Sequence, residues 1–280
     1  MNPLRSVLYV PASNERALDK ARTLASDAVL IDLEDAVAPE MKEAARRTAV
    51  AAIVAGFEGR TVVLRVNAPG TPWAEDDLAA AVEVGPDAVL LPKVETAQDV
   101  VGYDAALRVA PFKTGLWVMV ETPLAILNLA AIAATVAETR LSTLVVGLND
   151  LATALGARQT PGRAPFHPAL AMTVTAARVY GLNAIDAVFN DLADEAGFED
   201  ECAQGRAFGF DGKTLIHPSQ IEAANRIFSP SAEEVAWARA VVAAFADPAN
   251  AGQGVLRVEG RMAERLHLQQ SERILGALRA

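Results

Sequence analysis

Short apolar runs recur along this chain at intervals that leave room for one helix between each pair. Eight of them read as strands: Ser6–Val10, Ala28–Leu33, Thr61–Val66, Ala88–Leu91, Leu116–Val120, Thr143–Val146, Asn183–Ala187 and Lys213–Ile216. Each is rich in Val, Ile and Leu and does not alternate with polar residues, the pattern of strands covered on both faces. Amphipathic segments such as Asn14–Ala25, Glu40–Val54, Ala74–Val84 and Pro123–Glu138 lie between them. Alternating β and α elements predict a parallel α/β sheet, and eight repeats predict closure into a (β/α)8 TIM barrel. A dinucleotide-binding fold would carry G-x-G-x-x-G after the first strand. Pro11-Ala12-Ser13-Asn14-Glu15-Arg16 stands there instead, and Gly252-Gln253-Gly254 is too short to replace it. A length of 280 residues suits one barrel with an extension.

We therefore expect residues 1–228 to form the barrel and residues 229–280 a C-terminal helical extension. The extension opens with Ser229-Pro230-Ser231-Ala232-Glu233-Glu234, a capping-box start for a helix running to about Ala246. A loop over Asp247–Gly254 follows, then Val255–Gly260 and a final helix over Arg261–Leu278. The formal net charge of −10 comes without a basic stripe, which argues against a nucleic-acid partner. No apolar run approaches the length of a membrane span, and the N-terminus carries no signal-peptide core, so a cytoplasmic location is expected. The single cysteine, Cys202, excludes an internal disulfide and reads as a helix-packing residue beside Phe198 and Gly205.

Barrel enzymes place their working groups at the C-terminal ends of the strands. Here those ends read Asp32-Leu33-Glu34-Asp35, Arg65-Val66-Asn67, Pro92-Lys93, Glu121-Thr122-Pro123, Gly147-Leu148-Asn149-Asp150 and Ile216-His217-Pro218. Glu121 and Asp150 end consecutive strands, so their carboxylates should be neighbours, which requires a cation or a shared proton between them. Mg²⁺, with Mn²⁺ as a substitute, fits a carboxylate pair that leaves other positions to water and substrate. His167, His217 and His267 are too far apart for a zinc motif. The competing reading of Asp150 is a cap on the following helix. Arg65 interrupts an apolar strand and would meet a substrate carboxylate or enolate oxygen, or else form a structural ion pair with Glu34 or Asp35. Lys93 could be a Schiff-base lysine, but reads better as an electrostatic partner of the acidic rim. His217 reads as a hydrogen-bonded strand-end histidine sooner than a base. Ser13, Asn14, Arg16, Lys20 and Arg22 could meet phosphates near a helix N-terminus, or form a solvated helix face.

These segments resemble the HpcH/HpaI aldolase and citrate lyase β-subunit family, and within it the CoA-ester lyases acting on malyl-, β-methylmalyl- or citramalyl-CoA. The resemblance runs through RSVLYVPASNERALDKA, DAVLIDLEDAV, VVLRVNAPGTPW, DAVLLPKVET, VMVETPLAILN, LVVGLNDLATALG and GFDGKTLIHPSQI, spanning residues 5–221. It implies that Glu121 and Asp150 bind Mg²⁺ and that Arg65 contacts substrate oxygens. The backbone around Gly147, Leu148, Asn149 and Asp150 would hold an α-keto-acid carboxylate. Ser13, Asn14, Arg16 and Lys20, with Ile216, His217 and Pro218, would line the path of CoA. The tail VLRVEGRMAERLHLQQSERIL resembles a lid that covers a neighbouring subunit, implying a homotrimer or hexamer. Relatives carry an Asp after the Gly-x-Met turn as the proton-transfer group; here Glu264 takes that place, one methylene longer, with Glu259 a second candidate. The implied reaction is a reversible Claisen-type cleavage that yields an α-keto acid and acetyl- or propionyl-CoA. The rivals are a (3S)-malyl-CoA thioesterase, a citrate lyase β-subunit working on a carrier-bound citryl thioester, and a barrel that binds CoA esters without turnover.

Overall fold

The structure, a computed structural model, describes residues 3–109 and 114–277. Eight parallel strands close into a barrel in sequence order: β1 (Ser6–Pro11), β2 (Ala28–Asp32), β3 (Thr61–Arg65), β4 (Ala88–Leu91), β5 (Gly115–Val120), β6 (Leu141–Val146), β7 (Asn183–Asp186) and β8 (Gly212–Leu215). The expected strands all form, with ends displaced by no more than two residues. The connecting helices are α1 (Glu15–Ala21), α2 (Lys42–Ala55), α3 (Ala74–Val84), α4 (Ala97–Ala106), α5 (Pro123–Ala134), α6 (Leu148–Leu155), α7 (His167–Tyr180), α8 (Glu195–Phe208) and α9 (Ile221–Phe228). Among the described residues, no helix is long and apolar enough to cross a membrane.

Strand parity decides where each side chain goes, because successive residues point to opposite faces. On β2, Ala28 and Leu30 pack inside the barrel with Val7, Val63, Leu90, Trp117 and Met119. Val29 and Ile31 pack outward into the larger cluster under the helices. Continuing the inward set to the C-terminal rim brings Tyr9, Asp32, Arg65, Met119, Gly147 and Thr214 to one cavity at the barrel mouth. The outward set on the last two strands brings Asp186 and Lys213, which are paired in register, against α8. Cys202 on α8 is fully buried beside them, and burial pushes its thiol up to about 12, which makes it a packing residue and not a nucleophile.

From Ser229 onward the chain forms a second compact unit. Its first helix, α10 (Ala232–Ala246), starts as expected, with Ser231 accepting from the Glu234 N–H and Glu234 accepting from the Ser231 N–H. The expected final helix over Arg261–Leu278 is corrected. Residues β9 (Val255–Val258) and β10 (Arg261–Glu264) pair as an antiparallel hairpin, and helix α11 begins only at Arg265 and runs to Ala277. Leu278 lies outside the described residues. The two-residue turn is Glu259-Gly260, with φ of 45° and 82°, the left-handed pair that a twisted hairpin requires. Leu256, Val258 and Ala263 turn their side chains into a small core with Val241 of α10. Burial of one strand face explains why a helix-like stretch is extended here.

Candidate active site

Glu121 follows β5 with inward parity and is fully buried. Its Oε1 accepts from the Lys93 backbone N–H at 2.8 Å, and Lys93 Nζ lies 3.4 Å away. Its Oε2 is buried without a hydrogen-bond partner among the described residues. Burial pushes the Glu121 carboxyl up from its ordinary value, and the Lys93 charge opposes that shift. Asp150 projects from the first turn of α6 and pairs with the same Lys93 ammonium. Lys93 sits at a φ of 53°, a left-handed conformation that turns its chain back over the mouth between the two carboxylates. Burial lowers its basicity, but Asp150 and Glu121 outweigh that and hold the ammonium charged.

The approach of Glu121 to this centre depends on Gly147. A Cβ there would stand 2.6 Å from Glu121 Cβ and 2.8 Å from both Glu121 Oε2 and the Met119 methyl, so no other residue fits. Gly147 is also the N-cap of α6 and offers no side chain to the first-turn N–H groups. Those amides are the usual unsatisfied donors of a helix start and suit an incoming carboxylate.

Arg65 is buried and rigidly held. Its Nε and Nη2 donate to the two oxygens of Asp32 at 2.7 Å each, and Nη1 donates to Asp35 at 3.2 Å. Glu34 Oε2 lies 3.0 Å from Nη1 but is not aligned to accept, and it remains without a hydrogen bond. The Tyr9 ring stacks on the guanidinium, 4.9 Å from ring centre to Cζ. The structural ion pair weighed for Arg65 is therefore present, with Asp32 as its main partner, while the guanidinium still lines the cavity. Glu34 is pushed up to about 8: burial and the nearby Asp35 and Glu121 charges raise it, against Arg65 and Lys93.

The cavity occupies about 270 Å³, room for a small molecule. Leu148, Asn149 and Asp150 form one wall and Ile216 another. The Asn149 amide oxygen accepts from Gln159 and Asn190, both at 2.8 Å, which fixes that wall. Lys42 on α2 donates to the Leu33 and Glu34 carbonyls and to Asn67 Oδ1, at 2.8, 2.7 and 2.6 Å, pinning the loops after β2 and β3. Ser13, Asn14 and Arg16 lie exposed after β1 at the start of α1, where Asn14 caps the helix by accepting from the Ala17 N–H, whereas Lys20 is exposed in the last turn of α1, away from the mouth. His217 caps the turn over Pro218 by accepting from the Ser219 N–H at 3.2 Å, so the hydrogen-bonded reading of this histidine holds. Glu264 lies half-buried on β10, its N–H donating to His267 Nδ1 at 2.9 Å, and Glu259 is exposed at the hairpin turn.

Sequence reasoning missed Tyr9, Lys42 and Gln159 around this mouth, and it named Asp32 on the rim but not as the partner of Arg65. Parity would have found Tyr9 and the inward turn of Asp32, since both share the inward set with Val7 and Leu30.

The residues present fit a divalent cation. Among the described residues, the acidic groups of Asp32, Glu34, Asp35, Glu121 and Asp150 ion-pair with two cations, Arg65 and Lys93, while the charge of Lys42 also acts on Asp32, Glu34 and Asp35, and one buried oxygen each of Glu34 and Glu121 stays unpaired. No group of three or more His, Cys, Asp or Glu converges as a metal cage among the described residues, so a cation on Glu121 and Asp150 would draw other ligands from water and substrate.

Residues 5–218 match the model of the family described as HpcH/HpaI aldolase/citrate lyase. The chain is 45% identical over its full length to a (3S)-malyl-CoA thioesterase of Cereibacter sphaeroides, covering 96% of that protein. It is 36% identical to the citrate lyase subunit beta of Escherichia coli strain K12, over 93% of this chain and 88% of that one. The crystal structure of CitE from Mycobacterium tuberculosis in complex with magnesium, acetoacetate and coenzyme A superposes with a TM-score of 0.79 at 31% identity, covering 100% of this chain and 98% of the other. With the barrel, the rim carboxylates and these likenesses together, the chain belongs to the HpcH/HpaI aldolase/citrate lyase family.

Proposed function

We propose that this chain acts on a short β-hydroxyacyl-CoA thioester of the malyl type, and that its net reaction is hydrolysis to the hydroxyacid and CoA. The observation that carries the substrate class is the excess of carboxylate oxygens around Glu121 and Asp150 at the end of a cavity with room for a small molecule. Glu121 and Asp150 would hold Mg²⁺ or Mn²⁺, which when bound supplies Lewis-acid polarisation of substrate oxygens. The first-turn amides of α6 orient the acid end of the substrate. Arg65, fixed by Asp32, presents a rigid positive charge to the thioester end. Water adds to the thioester carbonyl, the C–S bond breaks, and a proton passes to the departing thiolate. Hydrolysis is supported by the 45% identity to a malyl-CoA thioesterase, against 36% to a citrate lyase subunit.

A second reading is favoured by Arg65 on the cavity wall, since a fixed guanidinium also suits an enolate. In that case the C–C bond breaks, a carboxylate takes the hydroxyl proton, and an α-keto acid leaves with a shorter acyl-CoA; Glu264 is the candidate from the sequence for that proton transfer. Incubation with malyl-CoA and Mg²⁺, following malate, glyoxylate, acetyl-CoA and free thiol together, decides between them. Malate and free CoA in equal amounts are expected. Glyoxylate with acetyl-CoA would replace hydrolysis by cleavage, and no product of either kind would sink both.

A further inference from the structure

Tyr9 stands in the mouth cavity with an O–H group that the fold leaves almost unused. The residue is on β1 with inward parity, and its ring is clamped by the Arg65 guanidinium, itself locked to Asp32. Among the described residues the hydrogen-bond partner of the phenol is Met119 Sδ, 3.6 Å away. A thioether is a weak acceptor, so the phenol is a donor free to exchange that contact for an oxygen. Burial pushes the phenol up from its ordinary value, which keeps the proton in place. The position is also specific. The Met119 methyl approaches the empty side of Gly147, which borders Glu121 Oε2, so Tyr9 Oη lies toward the carboxylate end of the cavity.

We infer that Tyr9 donates a hydrogen bond to the α-hydroxy- or α-keto-acid end of the bound substrate and selects for an oxygen there. This rests on the reading of the site as one for malyl-type thioesters. It assigns the residue a binding role that the rim carboxylates cannot fill, because they are acceptors and the substrate end is rich in acceptors too.

The test is Tyr9→Phe, which keeps the ring over Arg65 and removes only the hydroxyl. Wild type and variant are titrated calorimetrically with glyoxylate and with L-malate in the presence of Mg²⁺. Their thermal unfolding midpoints and their turnover of malyl-CoA are measured in parallel. The expected result is binding weakened about fivefold to tenfold, the worth of one hydrogen bond, with an unchanged midpoint and a parallel fall in kcat/KM. Equal binding by the two proteins overturns the inference. If the acids bind in a Tyr9-dependent way but malyl-CoA is not turned over, the functional reading falls and the role of Tyr9 stands. If malyl-CoA is turned over equally by both, the role of Tyr9 falls and the functional reading stands. A wild type that binds neither acid and does not turn over malyl-CoA overturns both.

Discussion

Two clusters of buried charge lie in the same barrel, and their balance differs. Behind β7 and β8, Asp186, Lys213 and Arg163 are buried with Glu201 in a closed set of two cations and two carboxylates. Asp186 accepts from Arg163 at 2.7 and 3.0 Å and from the Ala187 N–H at 2.8 Å, while Arg163 Nε donates to Gln204 at 2.9 Å. None of these four side chains has an unpaired buried atom. At the mouth, carboxylates outnumber cations, and Glu34 and Glu121 each keep a buried oxygen without a partner. Parity separates the two: the outward set closes on itself between sheet and helix, and the inward set opens on the cavity. A balanced cluster holds the fold together, whereas a surplus of acceptors holds a place for something that arrives.

Removing a charge should therefore cost stability at the first cluster and function at the second. The largest effect is expected at Asp186→Asn, which leaves Arg163 and Lys213 without their shared partner. Loss of one member of a buried ion set costs about 3–5 kcal/mol, and urea unfolding should show it. Burial alone would raise the Asp186 carboxyl, but Lys213 and Arg163 together hold it below its ordinary value. Its contribution is therefore present above the ordinary carboxylate range and is lost as pH falls through the lowered folded value. The variant should lack that part of the acid sensitivity.

Next in size is Glu121→Gln. Turnover of malyl-CoA should fall by about 10²–10³-fold with loss of a positioned electrostatic group, and Mn²⁺ binding followed by electron paramagnetic resonance should weaken with it. Unfolding should stay within about 1 kcal/mol of wild type, because Gln keeps the acceptor for the Lys93 N–H and removes a buried charge. A variant that unfolds as readily as Asp186→Asn would erase the distinction between the clusters. The smallest effect is expected at Glu34. A folded value of about 8 means that the native state holds this proton more tightly than the unfolded chain. That contribution is complete below the ordinary carboxylate range and is lost as pH rises toward and through about 8. Unfolding midpoints measured from pH 5 to pH 9, a range chosen around the ordinary and raised values, should fall more steeply for wild type than for Glu34→Gln.

The barrel was legible in the sequence because strands covered on both faces leave continuous apolar runs that need no tertiary information to recognise. The metal-binding candidates were legible because Glu121 and Asp150 stand at the ends of such runs. The Arg65 environment was only half legible: Glu34 and Asp35 were named, but Asp32, its partner in strand register, was read as part of an acidic run. Lys213 and Asp186 were hidden, since a charged residue inside a strand-like run gives no sign of which face it takes until the register is known. Arg163 sits in the loop before α7 at a φ of 54°, and its partners lie 23 or more residues away in sequence. The hairpin at Glu259-Gly260 was missed because Arg261–Glu264 was read as the first turn of the final helix, and in that short stretch only Ala263 enters the small core that marks a strand face.

Gly147 has a consequence for how such a site can change over time. Every other amino acid brings a Cβ, and a Cβ at that position would collide with the backbone-proximal carbon of Glu121. Missense drift is closed at this codon for as long as Glu121 stands where it does, and Glu121 has its inward path only for as long as the glycine persists. The glycine cannot be revised alone, so a descendant with a side chain at position 147 would first have to change what stands at position 121.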